Sequence, residues 1–469
     1  MSMIIISFIG MMLIFTLIGI ASTRVSRSDV SDYLVAGRSV SPWVAGLSAV
    51  ASNNSGFMFI GAIGFTYQYG LAAFWLFFGW LFGDYCSWLI VHRKLRARSE
   101  HQQNNSVTGF LAHNGQQKDK NLQVILGGLT VLFLTLYAAA QLKAGGKALQ
   151  STLDWSPNTG IYVGSLMVAV YSFAGGIRAS LWTDVAQAIV MIIAMGALSV
   201  VCHFDVISLS DVYSSLKAID PKLVTWTPHD ATLGIFAYAA GWFLAGFGGI
   251  GQPHMIIRAM TINDVNGITT MRRVYFSWYI LFSIFTMLVG LYARLYFESL
   301  DTVTFDKEIA LPLLAGAHLS SFWVGIILAA LFAATMSTAD SQVLASSASL
   351  TQDVLPQYKR SYSASKIATL SVVLLAMLVA LHGPDSVFVL VTLAWGLMMT
   401  AFAPLMIARV LDWTISPTKV LIAAGLGLLA MLGWRYGLQL GDAAYEGALG
   451  FLISLCLTFT LKENSFSES

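Results

Sequence analysis

Charge is what this 469-residue chain has least of: 11% of its residues are Asp, Glu, Lys or Arg, against 57% apolar. Soluble domains carry about a quarter charged residues. A soluble chain this apolar would show water large greasy patches, so the surplus has to face lipid. The net charge of +2 offers no electrostatic footprint for nucleic acid. Cysteine is equally sparse. Cys86, Cys202 and Cys456 stand singly in apolar stretches, with no CxxC and no metal-ligand spacing, and read as small core residues. HExxH is missing and the serines of the apolar runs lack a matching histidine, which leaves an intramembrane enzyme without a nucleophile–base pair or metal ligands. No basic residues precede the apolar run 3–22; Arg24 and Arg27 follow it, so it reads as an uncleaved first membrane helix.

What is present is a series of apolar runs of bilayer length. Thirteen can be counted, near 3–22, 41–66, 70–91, 122–150, 156–174, 179–203, 231–258, 271–295, 320–349, 364–383, 386–409, 417–436 and 444–461. Lys and Arg set the orientation, because cytoplasmic loops retain them. With the N-terminus outside and the C-terminal tail in the cytoplasm, about 19 of the 26 basic residues fall on the inner side. The reverse would expose Arg93, Lys94, Arg96 and Arg98. The outer loops 204–230 and 296–319 are expected to carry short surface helices. No stretch resembles a soluble domain, so residues 1–469 read as a single membrane domain in the plasma (inner) membrane.

Two spans are poor continuous helices. The second contains Ala51-Ser52-Asn53-Asn54-Ser55-Gly56, and the seventh contains the glycine run from Ala245 to Gly251 followed by Gln252-Pro253-His254. Gly and Pro weaken the helix ladder, and unpaired backbone at membrane depth is tolerated only around a cavity. Each broken span begins a group of five, and matched interruptions in two halves point to a transporter built of inverted repeats. The glycine run has no preceding strand, which removes a phosphate-binding loop.

Polar side chains inside the spans mark the rest of a site. Ala334, Ser337, Thr338 and Ser341 recur at i, i+3, i+4 and i+7 and so share one face of the ninth span. Hydroxyl and carbonyl oxygens suit a hard cation such as sodium, although hydroxyls also glue membrane helices together. Asp340 on the same span is costly in a membrane and is therefore a functional candidate. Asp184 is either a second such group or an interfacial acid paired with Arg178. His254 is expected to cap carbonyls freed at the break. Asp84 and Lys143 also lie within spans and receive no role.

At these motifs the chain resembles the sodium/solute symporter family, most closely its sodium/proline and sodium/pantothenate branch. The stretches that carry the likeness are Ala36-Gly37-Arg38-Ser39, Ala49 to Gly56, Tyr171 to Asp184, Gly251 to Arg258, and Met336 to Gln342 with Thr351-Gln352-Asp353. The resemblance implies an all-α polytopic membrane protein of the leucine-transporter type, a 5+5 inverted repeat with one extra N-terminal and two C-terminal helices. It divides the chain into 1–40, a first repeat 41–203, a second repeat 231–410, and C-terminal helices and tail 411–469. It implies a sodium site from the carbonyls of Ala51, Asn54 and Ala334 with the hydroxyls of Ser337 and Thr338, and in some members a second site at Asp184, Ser337, Asp340 and Ser341. The solute-facing positions it implies are Asn53, Ser55, Gly56, Phe57, Tyr137, Gln141, Ala245, Gly249, Trp395 and Phe402.

The activity so implied is sodium-coupled symport of a small organic solute, an amino-acid-like zwitterion or carboxylate, by alternating access. Two departures stand out. Asn53 replaces an aspartate of the sodium/proline branch, and Ala245 and Gly249 replace bulky aromatics, which argues for a solute larger than proline. A proton-coupled carrier would keep the architecture and use Asp340 and Asp184 as proton sites. A transporter-like sensor would carry an appended signalling domain, for which the tail after Leu461 is short.

Overall fold

Glycine and proline decide where the long apolar runs bend. The computed structural model describes residues 2–22, 24, 27, 29–114, 117–228, 231–298, 305–384, 386–441 and 443–463; the end of the C-terminal tail and part of the outer loop 296–319 lie outside them. Helix α1 (Ser2–Ser22) is followed by the short α2 (Val30–Val35) and by α3 (Pro42–Asn53), which starts on a Ser41 cap with Pro42 in its first turn. α3 stops at Asn53, and the chain resumes through a wide turn at Phe57–Gly61 into α4 (Ala62–Tyr69). The third apolar run ends in α5 (Trp80–Ile90), and the inner loop after it holds α6 (His92–His101), α7 (Val107–Leu111) and a hairpin of β1 (His113–Asn114) with β2 (Gln117–Lys118).

α8 (Lys120–Leu153) is capped by Asp119, whose carboxylate accepts the Leu122 amide at 2.6 Å. The fifth and sixth runs form one helical stretch, α9 (Pro157–Asp205), broken at Gly176 (φ 56°, ψ −146°) rather than separated by a loop. The outer loop 204–230 carries the expected short helix, α10 (Val212–Ile219). The seventh run is α11 (Gly234–Phe247), a tight turn at Gly248–Gly251, and α12 (Pro253–Thr261). Then come α13 (Ile268–Tyr296), the short α14 (Ala310–His318) in the second outer loop, α15 (Ser321–Ser349), α16 (Tyr362–His382), α17 (Val387–Val410), α18 (Pro417–Leu432) and α19 (Glu446–Thr460).

Every one of the thirteen apolar runs therefore coincides with helix. Among the described residues nine helices are long and apolar enough to cross a membrane, ten if the pair Phe57–Ala73 and Trp75–Ile90, bent by 93°, is one span. α19, at 15 residues, is shorter than that.

The burial pattern is that of a protein solvated by lipid. Ile6, Leu17, Leu166, Phe236, Ile367 and Leu429 are exposed, while Asp84, Asp184, Asp340, Arg258 and Gln252 are buried. α15 is the axis: every residue from 327 to 349 is buried, against α8, α9 and α1. Where α3 begins and α12 ends, the two broken runs are tied together. Val40 and Ile262 form a parallel bridge, the Arg38 guanidinium donates to Met260 O at 3.0 Å, and Arg96 donates to Ile262 O at 2.8 Å.

At Gly176 the left-handed φ disfavours any Cβ, and one built there would lie 2.6 Å from the Tyr33 carbonyl oxygen. Gly176→Ala is expected to cost about 1–3 kcal/mol, read as a lower melting temperature of the purified protein in detergent. An unchanged melting temperature would show that the break relaxes freely.

Candidate functional site

The break after α3 frees backbone oxygens beside the hydroxyl face of α15. The Ser55 amide turns back to Asn53 O at 3.0 Å, so the carbonyl of Ala51 loses its usual donor four residues on. Asn54 spends its amide NH₂ on Val50 O at 3.0 Å, and its buried Oδ1 meets no donor among the described residues. Across from it the Thr338 hydroxyl donates to Ser52 O at 3.1 Å, and the Ser341 and Ser52 hydroxyls lie 3.0 Å apart. Thr338 and Ser341 thus meet the end of α3 at Ser52, next to Ala51, while Ser337 turns to Asp184. Ala334 sits one turn before Thr338 in a helix that runs unbroken, so α15 presents its hydroxyls without opening.

Asp184 is the second node. Its Oδ1 accepts from Ser337 at 2.6 Å and its Oδ2 from Ser48 at 2.5 Å. Its cation is Arg258, with Nη2 3.4 Å from Oδ2 and both side chains fully buried. Arg178 pairs instead with Asp32 of α2, which removes the alternative of an Asp184–Arg178 pair: α9 turns at Gly176 and carries Arg178 toward α2. The Arg258 guanidinium also donates to Ser48 and Ser180, both at 3.2 Å, and to Ser341. Asp340 bonds Ser172 and Ser180, so it shares Ser180 with Arg258 and borders the same cluster. Arg258 further bonds the carbonyl of His254, whose buried ring nitrogens meet no partner among the described residues and whose ring packs edge-on to Tyr137. Among those residues the expected capping of freed carbonyls by His254 is not seen.

A closed pocket lies between these elements, lined by Asn53, Phe57, Met58, Leu76, Phe77, Trp80, Tyr137, Tyr279, Val391 and Trp395, with ≈ 10 Å³ of free space. That is about the room of one water. Of the expected solute positions it contains Asn53, Phe57, Tyr137 and Trp395. Ser55, Gly56, Gln141, Ala245, Gly249 and Phe402 do not line it. The Gly56 amide is taken by Gln141 Oε1 at 3.0 Å, the Phe57 amide by Ser55 Oγ at 3.2 Å, and Phe402 turns to Phe133. The Trp395 indole donates to Ala245 O at 3.0 Å, and the Asp84 carboxylate fills the space at Gly249. Neighbouring side chains thus occupy the volume that the two small residues release, which removes the volume argument for a solute larger than proline.

Outside this pocket is a vestibule of ≈ 570 Å³ whose walls include Phe65, Trp242, Lys307, Glu308, Phe388, Arg435 and Glu446. One aromatic layer separates the two spaces. Phe57 stacks on Phe388 at 5.3 Å, and Trp80 on Trp242 at 6.0 Å.

These features meet a clear match among known proteins: the model of the sodium:solute symporter family fits residues 33–412. The chain belongs to that family. It is an integral membrane protein that couples the movement of a small solute to sodium, and the family's members are transporters rather than enzymes. The high-affinity proline transporter PutP of Bacillus subtilis is 30% identical over 92% of this chain and 92% of its own. The sodium/proline symporter of Escherichia coli K12 is 30% identical over 93% and 88%. Among solved structures, a sodium-coupled sialic acid symporter in a substrate-bound outward-open state superposes with a TM-score of 0.81 over 98% of this chain and 97% of its own. At 19% identity that likeness speaks for the fold.

Arg258 is the residue that sequence reasoning passed over; its signal was a basic residue inside the second half of a broken span. Removing it leaves Asp184 charged in a buried site, so Arg258→Met is expected to destabilise this symporter by about 3–5 kcal/mol. Adding Asp184→Asn should restore much of the loss, because the pair then vanishes together. Melting of both variants in detergent checks this; a milder single variant with no rescue by the double would show that the pair is not coupled.

Proposed function

We propose that the coupling sodium binds at the α3 break, held by the carbonyls of Ala51, Asn54 and Ala334 and the hydroxyls of Ser337 and Thr338. The observation that carries this is the Thr338–Ser52 contact beside a carbonyl that has lost its helical donor. Sodium there would join α3 to α15 more firmly than a neutral hydrogen bond, because it satisfies several bare oxygens at once. The solute site is the closed aromatic pocket beside the break, lined from the second, third, fourth, eighth and eleventh spans. The curated relatives' names point to an amino-acid-like zwitterion such as proline.

In this reading the N-terminus is outside, the C-terminus is cytoplasmic, and thirteen spans form two five-helix repeats, 41–203 and 231–410, between 1–40 and 411–469. Solute enters from the vestibule past Phe57 and Phe388. The inner gate is Arg258 with the Val40–Ile262 bridge, and its release lets sodium and solute into the cytoplasm. A second sodium at Asp184, Ser337, Asp340 and Ser341 would have to replace the Arg258 guanidinium, which already neutralises Asp184. One sodium per solute is therefore the reading favoured here. At 100 mV each charge moved contributes about 2.3 kcal/mol, roughly fifty-fold accumulation of a neutral solute.

Ser337→Ala and Thr338→Ala should raise the sodium concentration for half-maximal uptake several-fold and leave the fold intact, measured in proteoliposomes with proline and related amino acids. Uptake that runs equally well in choline would sink the assignment. A charge-to-solute ratio of two in the unaltered protein would return Asp184 to the sodium ligands.

A further inference from the structure

The wall of the closed pocket conceals a carboxylate with no cation. Asp84 on α5 is buried, and Oδ2 accepts the Tyr275 hydroxyl at 2.7 Å. Tyr275 in turn accepts from Nδ2 of Asn53, a pocket-lining residue, at 2.7 Å. The other donors to Asp84 are neutral too. Ser87 lies 3.4 Å from Oδ1 and shares its hydroxyl hydrogen with the Asp84 carbonyl at 2.7 Å. Trp88 donates to the carboxylate as well. No Lys or Arg among the described residues forms an ion pair with Asp84, in contrast to Asp184 with Arg258. A buried carboxylate of this kind is expensive unless a positive charge reaches it.

Two further features say what kind of charge fits. Oδ1 faces Gly249 at the break between α11 and α12, and a Cβ built there would lie 2.8 Å from it. Any side chain at position 249 would collide with the carboxylate; glycine lets it lie against the broken helix. The pocket itself has no charged lining residue and is walled by Phe57, Trp80, Tyr137, Tyr279 and Trp395. Aromatic faces attract an organic ammonium, which tolerates partial desolvation far better than a bare sodium ion. The neutral relay Asn53–Tyr275 can swing its donors away from Asp84 when a stronger donor arrives.

We propose that Asp84 recognises a protonated amine on the transported solute, so that the solute class narrows to amines and amino acids and excludes simple carboxylates. This rests on the closed pocket being the solute site and deepens that reading. In the bound state the ammonium group lies among Trp80, Tyr137 and Tyr279 with Asp84 as counter-charge, reached past Gly249 and the Asn53 amide. Asp84 is then a specificity-determining residue, separate from the oxygens at the α3 break that hold sodium.

The test uses purified full-length protein in detergent, with melting followed in sodium and in choline. The probes are proline, leucine, lysine and putrescine, each against its amine-free counterpart: cyclopentanecarboxylate, 4-methylpentanoate, hexanoate and butane. Amine-bearing probes should stabilise the protein in sodium, and their counterparts should not. Asp84→Asn should weaken the best amine at least about tenfold, with the sodium response in the absence of solute unchanged. An amine-free carboxylate that binds as tightly as its amine parent overturns the proposal, and so does an Asp84→Asn protein that keeps full amine affinity. Loss of the solute-free sodium response in Asp84→Asn would make Asp84 a sodium ligand and overturn it too. If Asp84→Asn fails to fold, the amine discrimination of the unaltered protein decides alone. A protein that responds identically in sodium and choline would instead refute the sodium site, a result distinguishable from lost amine discrimination.

Discussion

Carbonyl oxygens that lose their amide partners inside an apolar bundle must find another donor or a cation, and the rest of this molecule is arranged around that need. At Asn53–Gly56 the helix stops because Asn54 and Ser55 bend the backbone back on itself. Ser52, just before the break, meets Thr338 and Ser341 of α15. A hydroxyl can satisfy one such oxygen, as Thr338 does for Ser52, but a small hard cation can satisfy several. Placing the most deeply buried helix of the protein opposite the break keeps water from doing the same job.

The second break, at Gly248–Pro253, serves a different purpose. It turns α12 so that Arg258 enters the bundle and meets Asp184, Ser180, Ser48 and Ser341, drawn from α9, α3 and α15. A buried ion pair contributes little net stability compared with apolar packing, because desolvation offsets most of the attraction. What it provides is a definite arrangement: the four helices hold one geometry while the pair is made and must separate together when it is broken. The aromatic layer stacks beside Glu308, which ties Lys147 of α8 to the Val387 and Phe388 amides of α17. The pocket behind that layer has room for about one water.

Asp84 and Asp184 show how differently two intramembrane acids can be used. Asp184 has its counter-charge built in. Asp84 has only neutral donors and lies against Gly249, where a side chain would collide with it. Their sequence surroundings, an acid among apolar residues, do not distinguish them. The difference lies entirely in which residue of a distant helix arrives opposite each.

Local sequence determined the features that depend on neighbours along the chain. The thirteen apolar runs became helices because length and apolarity are properties of a run, and both interruptions fell where Asn-Asn-Ser-Gly and the glycine run with Pro253 predicted them. The i, i+3, i+4, i+7 spacing placed Ser337, Thr338 and Ser341 on one face, as helix geometry requires. The resemblance supplied the family, which the comparisons bear out. Tertiary structure decided the partners. Arg258 rather than Arg178 reaches Asp184, because α9 turns at Gly176 and sends Arg178 to Asp32. Trp395 and Asp84 fill the space that Ala245 and Gly249 leave, and Gln141 takes the Gly56 amide. Each of these contacts joins residues more than 70 positions apart, where sequence periodicity has no say and only the packing of the folded bundle chooses who meets whom.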